Sequence, residues 1–364
     1  VIRFVNAVAK HFPDKIISTL AYQFSRPAPA IAKPEDNVQI MLCTIELNRR
    51  KSIEEEIGSR SFVKDITDWG KICKRIYLWD YTINFANSVS PFPNLHVLQP
   101  NIQFFSSNNV KAHFQQSNIS TGQEFSELKL YLISRLLWNP DANADEIINE
   151  FLREYYGKSA KWIKKYIDQL HEEAIKSNDG LDIYEHPTAH QKTFLSADNI
   201  KDYNLYFDKA ERRVKSDSAK LMHVRISRLP LQYAIMEIGK NEMFGERGWY
   251  RGDNNGFIAN ESMKVLLKNF YSTCQQGNVK HLNESGLSPK DYYESSLRFI
   301  DIQVKGNFAF RKKVMANPMP SAKYSNGDLS FLGNGVRGAN DYKVHWLGWE
   351  GDDFTLTLDL EKSV

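Results

Sequence analysis

The stretch VQIMLCTI, Val38 to Ile45, constrains this chain more than any other. A nearly continuous apolar strand of that length belongs in a sheet buried on both faces, and such sheets are parallel with helices as crossovers. The flanking sequence supplies both element types. Ile2, Val5, Val8, Ala9 and Phe12 recur at helical spacing over residues 2–12, and Ile16 to Tyr22 is a short apolar strand. Pro27, Pro29 and Pro34 mark a loop. Phe62 to Cys73 reads as a helix, Arg75 to Trp79 as a third strand, the region Asn94 to Phe105 as another helix, and Val110 to Phe114 as a fourth strand. Strand, helix, strand in regular order predicts βα units on a parallel sheet.

From Gly122 the period changes. Residues 124–138, 141–157 and 158–176 are amphipathic, with Asp141 and Asp145 near one start and Gly157 as a stop. At least two more helices are predicted within 198–244, with Pro230 interrupting or starting one, and others over 256–275 and 289–314. Trp138, Trp162, Tyr155 and Tyr156 fall at helical spacing and read as core. After Pro318 and Pro320 the chain is glycine-rich with short alternating strands such as FTLTLDL, 354–360. That predicts the opening of a β-sandwich, incomplete because a whole one takes roughly 100 residues. Three regions follow: α/β over 1–122, all-α over 123–315, and the sandwich start over 316–364.

Net charge is only +3 and no long basic run occurs, which argues against a nucleic-acid partner. No apolar stretch approaches the roughly 20 residues of a membrane span. The three cysteines have no CxxC spacing, and Cys43 and Cys73 read as small buried apolar residues. His186 and His190 are four apart, but Pro187 between them argues for a loop, so no metal site is predicted. No cofactor is implied, and the oligomeric state is left open.

Polar and aromatic residues gather where the strands stop: Tyr22-Gln23, Glu46, Trp79-Asp80-Tyr81 and Gln115-Gln116. In a (β/α)₈ barrel that end is the active-site face. A flat indole suits the C–H face of a sugar, although Trp also simply fills cores. Glycoside hydrolysis usually draws on two carboxyl groups about 5–9 Å apart, while an N-acetyl sugar can provide its own nucleophile so that one carboxylic acid and an orienting Asp suffice. Glu46 and Asp80 are therefore the candidate catalytic residues. Trp79, Tyr22, Tyr81, Gln115 and Arg49 are the candidate substrate contacts. Open alternatives are a structural ion pair of Glu46 with Arg49 or Arg50, a capping role for Asp80, and core packing for Trp79. Neighbours on a strand point to opposite faces, so Trp79 and Asp80 cannot both face one pocket unless the strand has ended. His113 reads as a satisfied histidine within the fourth strand.

The blocks WDYTINF with PFPNL, FSELKLYLISRLLWNPDANADEIINEFLREYYG, LDIYEHP and RISRLPLQYA resemble the Bacteroidetes family known as domain of unknown function 4838. Some of its members are classed in glycoside hydrolase family 163, endo-β-N-acetylglucosaminidases acting on N-glycans. The closing segment GNGVRGANDYKVHWLGWEGDDFTLTLDL resembles the start of a galactose-binding-like (discoidin) sandwich. The resemblance implies the C-terminal half of a TIM-like (β/α)₈ barrel, a helical domain, then that sandwich. It also implies a secreted, periplasmic or cell-surface protein whose partner is an oligosaccharide or glycan containing N-acetylhexosamine. One departure bears on chemistry. The family pattern after the fourth strand is Phe-Glu-Gln-Gly, whereas this chain has Phe114-Gln115-Gln116-Ser117. If that Glu takes part in catalysis, Gln115 removes a proton donor or acceptor, and the alternative is a carbohydrate-binding protein that keeps the barrel without the chemistry. The resemblance places the usual general acid before Val1. Half of a barrel that takes about 250 residues also carries the expectation of open sheet edges and of a longer parent polypeptide.

Overall fold

The computed structural model describes residues 1–117, 120–253, 256–300, 307–324, 327–335, 338, 342 and 346–361. They form two compact units. The first is Val1–Leu231 with Leu282–Ser285, and the second is Gln232–His281 with Gly286–Val364.

The first unit opens with α1 (Ile2–His11), β1 (Ile17–Ala21), β2 (Val38–Cys43), α2 (Arg60–Ile72), β3 (Ile76–Tyr81), α3 (Leu95–Ser107) and β4 (Val110–Gln116). All four strands are parallel and lie in sequence order, β1-β2-β3-β4, so the α/β reading holds. Among the described residues β1 and β4 are the sheet's edges and no closed barrel forms. Helices cross between β2 and β3 and between β3 and β4. Residues 22–37 join β1 to β2 with only the short 3₁₀ turn Gln23–Ser25.

One face of the sheet packs on the helices. Val38, Ile40, Leu42, Ile76, Leu78 and Val110 form one core with Val5 and Ala9 of α1, Phe62, Ile66 and Trp69 of α2, and Phe104 and Phe105 of α3. The other face differs from the expectation drawn from VQIMLCTI. Gln39 and Met41 are only half-buried, and Leu20 and Phe114 are exposed. The run is thus buried on the helix side and only partly covered on the other. Its apolar character overstated the burial, because Met41 is apolar without being enclosed.

Five helices follow: α4 (Ser126–Trp138), α5 (Ala144–Tyr156), α6 (Ala160–Lys176), α7 (Ala197–Arg213) and α8 (Ser218–Asn241). Tyr156 is core as expected, but Trp138 is 92% exposed and Trp162 is half-buried against Tyr206. The buried stripe of α4 runs through Leu128, Lys129, Leu132, Ile133 and Leu136. Two residues past Leu136 is about 200° of helix, which turns Trp138 away from that stripe. α8 continues through Pro230. Proline removes one backbone bond there, and the helix persists because Leu229, Leu231, Ala234, Met236 and Ile238 are fully buried.

The second unit corrects the all-helical reading of 123–315. A hairpin, β5 (Tyr250–Asp253) with β6 (Gly256–Ala259), precedes α9 (Glu261–Gln276) and α10 (Pro289–Ile300). The helix predicted over 289–314 ends at Ile300, residues 301–306 lie outside the described residues, and Val314 already belongs to a strand. That strand, β7 (Val314–Asn317), pairs antiparallel with β8 (Thr355–Leu358). It is the one ladder that the described residues show in the region expected to open a sandwich, and several residues of GNGVRGANDYKVHW lie outside the description.

The loop from Thr82 to Asn94, between β3 and α3, is buried at every residue but Ala86. Loops normally run over the surface because their peptide groups need water, so this one must find protein partners. Phe85 N–H donates to Ile183 O (2.6 Å), Val89 N–H to Leu282 O (3.4 Å), and Phe85 O accepts from Glu284 N–H (3.0 Å). The amides of Asn84 and Asn87 both donate to Glu185 O, at 2.7 and 3.0 Å. Lys129 Nζ donates to Phe92 O (3.2 Å) and to Glu124 (2.7 Å), a pair in which both side chains are 2% exposed. Asn94 gives α3 no side-chain cap. His171 of α6 does that work, its Nε2 accepting from Leu95 N–H at 3.0 Å while Nδ1 lies 2.8 Å from Ile167 O.

His171 must stay neutral to accept that bond. Burial, then the neighbouring His96 and Lys129, push its pKa down to about 3. Below about pH 6.5 the unfolded chain protonates this histidine and the folded one does not. Its stabilising contribution is therefore present above pH 6.5 and lost as pH falls toward 3. Urea midpoints at pH 7 and pH 4 should show His171→Leu less stable than wild type at pH 7, by about 1–3 kcal/mol, with the gap closing at pH 4. A gap that is constant across that range would remove His171 as the acid-sensitive cap.

Candidate functional site

The C-terminal ends of the four strands set the geometry. Register pairs Cys43 with Trp79, Trp79 with Phe114, Asp80 with Gln115 and Tyr81 with Gln116. Strand alternation then puts Cys43, Trp79, Tyr81, Phe114 and Gln116 on the face away from the helices, and Asp80, His113 and Gln115 on the helix side. The strand-end residues singled out from sequence are thus divided between two faces.

The first face carries a row of rings. Trp79 lies 5.4 Å from Phe114 at 52° and stacks on Tyr81 at 5.9 Å and 16°. Tyr81 meets Phe85 edge-on at 5.8 Å, and Phe85 meets Tyr184 at 6.4 Å. The row exists because Trp79 and Tyr81 are two apart on one strand, and because the buried loop returns Phe85 beside them. Trp79 Nε1–H donates to Gln116 Oε1 at 2.6 Å, which fixes the indole plane. The ends of the row are open, with Phe114 41% and Tyr184 44% exposed. Burial raises the Tyr81 phenol well above its usual range, helped by Cys43, Tyr22 and Tyr184, with Arg49 acting the other way. Burial, with Glu46 adding to it, pushes the Cys43 thiol up to about 11, so Cys43 is no thiolate at neutral pH.

The polar residues have other duties. Glu46 is held by Arg26, not by Arg49 or Arg50 as the sequence suggested. The same guanidinium donates to Asp65 (2.8 Å) and Ser61 (3.0 Å) of α2. Arg49 is buried and spends its nitrogens on backbone carbonyls: Nε on Tyr81 (2.7 Å), Nη2 on Thr44 (2.9 Å), Nη1 on Leu47. It ties the end of β2 to the end of β3 and is not placed to touch a ligand. Burial lowers its pKa, with Asp80, Asp182 and Tyr81 opposing. Asp80 Oδ1 accepts from Thr44 Oγ1 at 2.5 Å. Gln115 Nε2 lies 3.5 Å from His113 Nδ1. Tyr22 follows β1, half-buried, its hydroxyl accepting from Gln23 at 3.3 Å.

The structure therefore brings Trp79 and Tyr81 together and places Tyr22 close enough to influence the Tyr81 phenol. It sets Asp80 and Gln115 on the opposite face and leaves Glu46 at the margin in an ion pair. Sequence reasoning did not assign Phe114, Gln116, Phe85 or Tyr184 to the site, although it named Gln116 as a strand-end residue. The first two were available from alternation alone, being the positions beside Trp79. Tyr184 lies about 100 residues further on, and no local signal connects it. None of these residues lines the cavity of about 500 Å³ within the second unit, between Met243, Phe244, Phe310 and Phe331.

Residues 1–168 match the family described as Domain of unknown function (DUF4838). The matched span holds β1–β4 and every site residue named from sequence; Tyr184 and Glu284 lie beyond it. A search of curated proteins finds no match. Among solved structures, the chain is similar to a GH138 enzyme targeting pectin rhamnogalacturonan II, at 11% identity and a TM-score of 0.30, covering 72% of this chain. The chain spans 49% of that structure's length, and a likeness at this level carries no inference.

The geometry separates structural from exposed charge. Replacing Arg49 by Leu strands three carbonyls at the strand ends and should cost about 2–4 kcal/mol in urea unfolding. Glu46→Gln, at a side chain 45% exposed, should cost less than about 1 kcal/mol. Equal costs would mean that Arg49 is not the strut described.

Proposed function

We propose that the protein is glycan-active, with the half-buried Trp79 and the exposed Phe114 and Tyr184 as its sugar-facing rings, supported by the buried Tyr81 and Phe85 of the same row. The observation that carries the reading is the Trp79–Tyr81 stack at the C-terminal end of a parallel sheet. Binding sites in open α/β sheets and in barrels lie at that end, and a sugar's apolar face packs on flat rings whose edges keep polar partners. The four consecutive parallel strands, whose sheet edges β1 and β4 are unpaired among the described residues, are consistent with one half of a (β/α)₈ barrel. With the sequence resemblance, the ligand is read as an N-acetylhexosamine-containing glycan, met outside the cytoplasm, and the reaction class as glycoside hydrolysis.

A second reading has its own support. Asp80 faces away from Trp79 and is engaged by Thr44, Glu46 is engaged by Arg26, and Gln115 stands where the resembled family has Glu. Those facts favour a carbohydrate-binding protein without hydrolytic chemistry in these residues. Incubating the chain with N-glycan and with N-acetylglucosamine oligosaccharides decides between the readings. Released sugar supports the hydrolase, and calorimetric binding with no release supports the binder.

Under either reading Trp79→Ala should weaken oligosaccharide binding by about 1–3 kcal/mol, the scale of a lost aromatic contact and its buried area. Unchanged affinity in the calorimeter would remove Trp79 as the platform.

A further inference from the structure

The carboxylates expected from sequence are engaged, Glu46 by Arg26 and Asp80 by Thr44. Glu284 is not. It lies in Leu282–Ser285, a four-residue segment that belongs to the first unit while the chain on either side belongs to the second. The segment is held there by its backbone. Leu282 is fully buried and its carbonyl accepts from Val89 N–H, and Glu284 N–H donates to Phe85 O at 3.0 Å. The Phe85 N–H donates in turn to Ile183 O. One residue of the buried loop, Phe85, thus clasps two distant segments and delivers Tyr184 and Glu284 to the same end of the ring row. The Tyr184 phenol is raised by burial first and by Glu284 next, with Tyr22 and Asp182 contributing, so the carboxylate lies within electrostatic reach of the hydroxyl. Asp182 itself is occupied, accepting from Tyr184 N–H at 2.8 Å. Neither the Tyr184 hydroxyl nor the exposed Glu284 carboxylate has a hydrogen-bond partner among the described residues.

We propose that Glu284 and Tyr184 are the polar end of the glycan site and select the sugar seated against the rings. The inference rests on the carbohydrate reading above. A carboxylate can accept from two neighbouring ring hydroxyls, and a phenol can donate to a ring or acetamide oxygen. Beside an aromatic platform that pair favours a neutral sugar with adjacent hydroxyls. It disfavours an acidic one, whose carboxylate would face Glu284.

Isothermal calorimetry on the full chain tests this with two probes, a β-1,4-linked N-acetylglucosamine trisaccharide and an oligosaccharide alternating N-acetylglucosamine with glucuronic acid. Wild type should bind the neutral probe at least about 10-fold tighter. Glu284→Gln, an isosteric change at an exposed position, should lose about 10-fold on the neutral probe, the scale of a charge-assisted hydrogen bond. It should also narrow the gap to the acidic probe, and Tyr184→Phe should weaken both. If Trp79→Ala abolishes binding while Glu284→Gln leaves both affinities as in wild type, the selectivity assignment is wrong and the platform stands. If wild type binds neither probe, the carbohydrate reading fails and takes this inference with it.

Discussion

The buried loop Thr82–Asn94 is the constraint on which the first unit depends. Thirteen residues of irregular chain inside a protein carry peptide groups that cannot reach water, and each unpaired group would cost on the order of 1–3 kcal/mol. The solution is to import partners from far along the sequence: the carbonyls of Ile183, Glu185 and Leu282, the N–H of Glu284, Lys129 Nζ, and His171 at the start of α3. Satisfying the loop therefore fixes where segments 181–185 and 282–285 sit. The functional reading is a by-product of that requirement, because Tyr184 and Glu284 ride on the same segments.

Strand alternation makes the second decision. β3 ends with Trp79, Asp80 and Tyr81, and a period of two sends the rings to one face and the carboxylate to the other. Arg49 holds this end in place by bonding the last carbonyl of β3, at Tyr81, and that of Thr44 just past β2. Trp79 is left half-buried beside the exposed Phe114 on that face, while Tyr81 is buried. The carboxylate is given to the Thr44 hydroxyl. The result is a surface better equipped to hold a sugar ring than to cleave one, unless a carboxylate from elsewhere reaches it. Glu284 is the candidate for contact that the described residues offer.

Much of the α/β region was legible because its signals are local. The apolar runs of β1–β4 and the 3.6 period of α1 and α2 depend on near neighbours, as does the Gly157 stop after α5 in the helical region. What failed was non-local. Pro230 reads as interrupting or starting a helix, yet burial of Leu229, Leu231 and Met236 keeps α8 whole through it. Trp138 reads as core by helical spacing, but its angular position on α4 exposes it. Residues 256–275 contain a strand before their helix, hidden in the sequence by the helical run that follows. At the site, Trp79 and Tyr81 were visible as strand-end aromatics. The ion pair of Glu46 with Arg26 was not, since the partner sits 20 residues upstream, and Arg49 is nearer in sequence but turned inward.

The central claim is that the indole of Trp79 meets the sugar. Labelling the seven tryptophans with 5-fluorotryptophan and assigning one ¹⁹F resonance by Trp79→Phe gives a probe at that ring. Titration with the N-acetylglucosamine trisaccharide should shift the Trp79 resonance, saturably and more than the other six. A saturable shift confined to other tryptophans, with Trp79 unmoved, would place the sugar elsewhere and contradict the account.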